Sequence, residues 1–141
     1  MSDGTGLSRF VKAQASIHAE ALAELRAGEK RSHWMWFVFP QIAGLGHSPT
    51  ARFYAIAGRG EAELYLAHDV LGPRLAECTQ AMLGWVGRRS AQRILGSVDA
   101  LKFASSMTLF EACATEPAPF AAALEGFCGG ERDAATLARL G

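Results

Sequence analysis

Apolar positions recur at helical spacing along most of the chain. Phe10, Ile17, Ala21, Leu22 and Leu25 fall on one stripe, which predicts a helix from a Ser8 cap to about Arg26, stopped by Gly28 in a left-handed conformation. A polar segment, Glu29 to His33, then leads into the apolar run Trp34 to Pro40. That run suits a short helix or a buried strand. A short helix, capped by Ser32 and ended by Pro40, is favoured because no second strong strand candidate exists to pair with it. Ile42 to His47 holds Gly44 and Gly46 and reads as a loop. Ser48-Pro49 is a helix start signal, with the helix running to about Ala57.

Glu61 to His68 continues as a short helix. Pro73 lies near the start of another, with Leu75, Cys78, Thr79, Met82 and Val86 along one side and Arg88-Arg89 at its end. Ser90 opens a turn or two closed by Gly96. Further helices are expected over Val98 to Thr115, over Phe120 to Phe127 before Gly129-Gly130, and over Ala134 to Leu140 with Asp133 as cap. The fold class is therefore all-α: a single compact domain of about seven or eight short helices over residues 7–141, after a disordered segment at 1–6.

Composition narrows the function classes. Half of the 141 residues are apolar, enough to build one sizeable core without staples, and the length leaves no room for a second domain of normal size. Fourteen basic and fourteen acidic residues cancel, so neither nucleic acid nor an anionic membrane surface is an expected partner. The run from Trp34 to Pro40 is too short to span a bilayer, and no secretory signal is evident at the N-terminus, so a cytoplasmic location is expected. Cys78, Cys113 and Cys128 are odd in number and widely spaced, which fits reduced thiols. Neither a metal nor a cofactor is expected, because no Cys or His pair has zinc-site spacing. Phosphate-loop, nucleophile-elbow and His-Glu-x-x-His patterns are missing, and Cys128 lacks a recognisable histidine partner. Arg88, Arg89 and Arg93 read as a solvated helix end.

Three stretches carry the candidate chemistry: Lys30 to Gln41; Tyr65 to His68 with Leu71 to Leu75; and Asp99 to Phe110. Together with Arg9 to Gln14 and Ala135 to Leu137, they resemble the family catalogued as domain of unknown function 1810. The resemblance spans about Leu7 to Gly141. Its most specific parts are His33-Trp-Met-Trp36 with Phe39-Pro-Gln41, and Ser105-Ser-Met-Thr-Leu-Phe110. It implies a small, mainly helical cytoplasmic protein and no particular activity; some members carry the name calpastatin without a mechanism attached. The chain departs from the pattern in two places: Asp69 stands where a proline commonly follows the histidine, and Phe103-Ala104 stands where Leu-Arg is common. The second departure removes a basic residue near the candidate site.

Each stretch has a structural and a functional reading. Trp34, Met35, Phe37, Val38 and Phe39 are ordinary core material, yet an indole face can also hold a planar base or a cation. His33 and Gln41 flank that run and need partners if buried. In the third stretch Lys102, Ser105 and Ser106 share one side of a helix, where they can orient a polar ligand or, for the hydroxyls, bond carbonyls one turn earlier. His68 near a helix end is explained by the helix dipole.

Two functions compete. In the first, His33, Trp34, Trp36, Gln41, Lys102, Ser105 and Ser106 converge on one pocket for a small polar ligand, nucleotide-like molecules included. His33 would then serve as general acid or base and Asp99 would activate a water. In the second, the chain is a non-catalytic helical module that docks a protein partner through an aromatic or arginine-bearing groove. Oligomeric state is not encoded in any of these features.

Overall fold

The computed structural model describes residues 6–140. These form ten α-helices: α1 (Ser8–Ala15), α2 (His18–Ala27), α3 (Met35–Val38), α4 (Pro49–Phe53), α5 (Arg59–Ala67), α6 (Leu71–Leu83), α7 (Ala91–Leu95), α8 (Ser97–Cys113), α9 (Ala118–Phe127) and α10 (Ala134–Leu140). Seven have at least seven residues; α3, α4 and α7 are single turns. The only β pairing among the described residues is one parallel bridge, Ile42 to Ile56. No described helix is long and apolar enough to cross a membrane. Of the expected disordered segment, only Gly6 lies within the described residues.

The centre of the molecule is α8. Residues Ser105 to Phe110 are all buried, with Met107, Leu109 and Phe110 fully so, as expected where the C-terminal half of a helix runs through the core. It is covered by α5, α7, α9 and α10, while α6 packs on α2, α5 and α9. An aromatic chain threads this core: Trp34 meets Phe39, Phe39 meets Phe103 edge-on at 5.0 Å, and Phe103 meets Phe127 at 5.9 Å.

Local signals set several helix ends. Ser48 Oγ accepts the Ala51 N–H and Ser90 Oγ accepts the Arg93 N–H, each at 3.1 Å. Asp133 caps α10 through the Thr136 N–H at 3.2 Å. Gly28 ends α2 at φ +74°, and the Trp85 indole lies where a side chain would project. The same end is closed by Trp85 Nε1 donating to the Leu25 carbonyl and Arg89 donating to the Gly28 carbonyl, both at 2.9 Å. His68 ends α5, and its Nδ1 accepts the N–H groups of Val70 and Leu71 at the start of α6. Gly72 is required by close approach, since a Cβ there would meet the Leu66 carbonyl oxygen at 2.4 Å.

Several boundaries differ from the expectation: α4 stops at Phe53, short of Ala57, and α3 starts at Met35 with Trp34, not Ser32, at its cap position. The predicted helix over Ser8 to Arg26 breaks at Ser16 and Ile17, so that α1 packs on α3 while α2 turns to α6. Ser8 is the first helical residue, and Leu7, not Ser8, occupies the cap position. Finally, α6 stops at Leu83 and does not run on to Arg88-Arg89.

Candidate functional site

The segment Lys30 to Gln41 is fixed by Glu24, one turn before the end of α2. The Glu24 carboxylate accepts the N–H groups of Arg31 (2.8 Å) and Ser32 (3.0 Å), the Ser32 hydroxyl (2.6 Å) and the Trp34 indole N–H (2.9 Å). Burial alone would raise its pKa, but these donors together hold it at about 2. Trp34 is thereby drawn fully inside, with the Lys30 ammonium 5.1 Å from its ring centroid. Its aromatic faces belong to the core and are not available to a ligand.

The second anchor is a polar knot at α1. Gln14, 2% exposed, donates its amide to the Phe37 carbonyl at 2.6 Å and to the Tyr65 hydroxyl at 3.1 Å. Burial raises the Tyr65 phenol well above its ordinary range. The bridge supplies a third anchor: Ile56 donates to the Gln41 carbonyl at 2.9 Å and Ala43 donates to the Ile56 carbonyl at 2.8 Å, which sets the backbone around Gln41.

These anchors bring Trp36, Gln41 and Lys102 together in one cleft, walled also by Met35, Ala51 and Tyr54. Lys102 Nζ stands 5.4 Å from the Trp36 ring centroid and 3.7 Å from Asp99 Oδ1; Lys30 holds the other Asp99 oxygen at 3.0 Å. The Gln41 amide and the Tyr54 hydroxyl make no hydrogen bond among the described residues. The cleft has about 10 Å³ of free space, which is room for one water.

The seven residues expected to converge do not share one hollow. His33 is exposed, lies outside the lining of the Trp36 cleft and makes no hydrogen bond or ion pair among the described residues. Ser105 is about 60° around the α8 axis from Lys102. There it bonds to the Leu101 carbonyl at 3.2 Å and to Asp133 Oδ2 at 3.0 Å. Ser106 shares the Lys102 side but lies a turn deeper, fully buried, its hydroxyl without a partner. Asp99 is held between two lysines. Ser105 instead lines a separate groove of about 500 Å³.

Sequence reasoning passed over Glu24, Gln14 and Tyr54. Only Gln14 carried a hint, as a polar residue spaced four from Phe10 on the apolar side of its helix.

Fold and cleft together define a small all-α protein built around one central helix. The chain belongs to the family described as protein of unknown function (DUF1810), whose model matches residues 4–140. It is similar to the conserved hypothetical protein Rv1873 from Mycobacterium tuberculosis, known from a crystal structure, at 50% identity over 96% of each chain with a TM-score of 0.93. No curated protein matches it.

Proposed function

We propose that the protein binds a small polar ligand with an anionic group at the cleft of Trp36, Gln41, Tyr54 and Lys102. The observation that carries this reading is the set of underused polar groups around one opening. The Gln41 amide and Tyr54 hydroxyl have no hydrogen-bond partner among the described residues, and Lys102 reaches Asp99 only at 3.7 Å. A ligand anion would compete well for that ammonium, because Lys30 already neutralises Asp99 at 3.0 Å. The Trp36 indole would stack against a ring of the ligand.

A ligand larger than a water requires the wall to move, and the wall suits that. None of the α4 residues is buried, so displacing its N-terminal side exposes little apolar surface. Its C-terminal side is held by Arg9, which donates to the Phe53 carbonyl at 2.7 Å and the Ala55 carbonyl at 2.8 Å. The segment between Gly44 and Pro49 then acts as the opening edge.

Titrating nucleoside monophosphates and simple phosphate esters while following tryptophan fluorescence tests the reading. Saturable quenching is expected, lost in Trp36→Phe and weakened in Lys102→Ala and Gln41→Ala. A silent panel, or quenching unchanged in Trp36→Phe, would overturn it. The alternative, a protein-docking module, is favoured by one observation: Val98 and Leu101, one turn apart on α8, are 67% and 71% exposed.

A further inference from the structure

We propose that the groove between α7, α8, the end of α9 and the start of α10 is a separate binding site for a compact organic cation, an amine carried on an apolar body. It is independent of the cleft at Trp36. Its free volume of about 500 Å³ falls within the range of small-molecule pockets. The floor is apolar and shallow-sided, made by Ala91, Ala100, Ala104 and the Phe127 ring, which rests edge-on against Phe103.

Charge at the rim selects the ligand class. Glu131 and Asp133 line the groove, and neither forms an ion pair among the described residues. The one cation in the lining, Arg132, is already committed. It donates through Nε to Glu111 at 2.9 Å and through Nη1 to Glu125 at 3.2 Å and the Gly130 carbonyl at 2.7 Å, with Nη2 on the second Glu111 oxygen. Arg132 therefore leaves the acidic rim uncompensated. Asp133 receives its bonds from Ser105 and Thr136 on Oδ2, and Oδ1 makes none among the described residues, so it keeps lone pairs for an ammonium donor. Phe127, which also lines the groove, supplies apolar contact for the body that carries the charge. Cys128 also lines the groove; burial raises its pKa, so it stands there as a neutral thiol and does not offset the acids.

The probe is phenethylammonium, with phenethyl alcohol and phenylpropionate as neutral and anionic counterparts of similar shape. Amide chemical shifts are followed by NMR on the full chain. Saturable shifts are expected at Ala91, Ala104, Phe127 and Glu131, with the cation binding roughly tenfold tighter than the alcohol and the carboxylate weakest. Glu131→Gln, at an exposed side chain, is expected to reduce the cation's advantage several-fold while leaving the melting temperature unchanged. Ala104→Phe is expected to fill the floor and remove binding, and its dispersed spectrum reports whether it folds. Equal affinity for cation and alcohol, or an unchanged preference in Glu131→Gln, would overturn the proposal, as would no saturable shift with any of the three.

Discussion

The indole N–H of Trp34 donates to the Glu24 carboxylate at 2.9 Å, and that bond decides what Trp34 does. A buried indole needs an acceptor. Because α2 supplies one, the ring closes into the core alongside Phe39, leaving Trp36 as the member of the pair that meets the cleft.

Removing the acceptor is expected to be costly. Glu24→Ala leaves the Trp34 N–H buried without a partner and frees the Arg31 and Ser32 amides, for a loss of about 2–3 kcal/mol. Urea denaturation measures it. A midpoint within error of the wild type would mean that the segment is held by packing alone.

Glu24 also sets a pH dependence. Its folded pKa of about 2 lies below the ordinary carboxyl value of 4.5. Its contribution is therefore complete above 4.5 and is lost as the pH falls from there toward 2. Glu111, whose pKa is lowered by the hydrogen bond from Arg132, acts in the same direction. The denaturation midpoint is expected to fall across this window, and Glu24→Ala is expected to flatten the fall without abolishing it. An identical slope in the variant would remove Glu24 from the account.

Arg9 is expected to matter as a backbone clamp. Besides its two carbonyls, at the last residue of α4 and just after it, Arg9 pairs with Glu61 at 3.0 Å and reaches the Gly6 carbonyl. Arg9→Ala should cost about 1–3 kcal/mol, since it leaves the part-buried Ala55 carbonyl and the Glu61 carboxylate without their cation while water can replace it at the exposed Phe53 carbonyl. Hydrogen exchange is expected to rise around Ala55 to Ala57, where Glu61 also holds the Ala57 N–H. Unchanged exchange there would count against the clamp.

Asp133 docks α10 on α8. It accepts from Ser105 and Thr136, and its own N–H donates to Thr108 Oγ1 at 2.9 Å. Asp133→Ala is expected to cost about 1–2 kcal/mol through loss of the cap. Amide protection should fall selectively over Ala134–Leu140, leaving α8 protected. Protection lost equally in both helices would mean that the effect is global.

What the sequence reveals here depends on the range of the interaction. Gly28, Ser48, Ser90 and Asp133 announce helix ends because each acts on backbone within about one turn. Trp36, Gln41 and Lys102 were legible as candidates, and the fold brings them to one cleft. Their separation from His33, Ser105 and Ser106 was not, because it depends on which side of α8 each neighbouring helix covers. Arg9 and Gln14 were hidden for another reason. Their main partners, among them the Phe53 carbonyl and the Tyr65 hydroxyl, lie far along the chain, and a backbone carbonyl leaves no residue-type signature. The break at Ser16 and Ile17 likewise follows from two docking partners and from no local stop signal.

The donors that Glu24 gathers all lie within ten residues of it along the chain. A loop that short closes at little entropic expense and within about 10–100 ns. The tryptophan is thus held on a local tether, whereas the bonds of Arg9 and Gln14 to the Phe53 carbonyl and the Tyr65 hydroxyl close far longer loops.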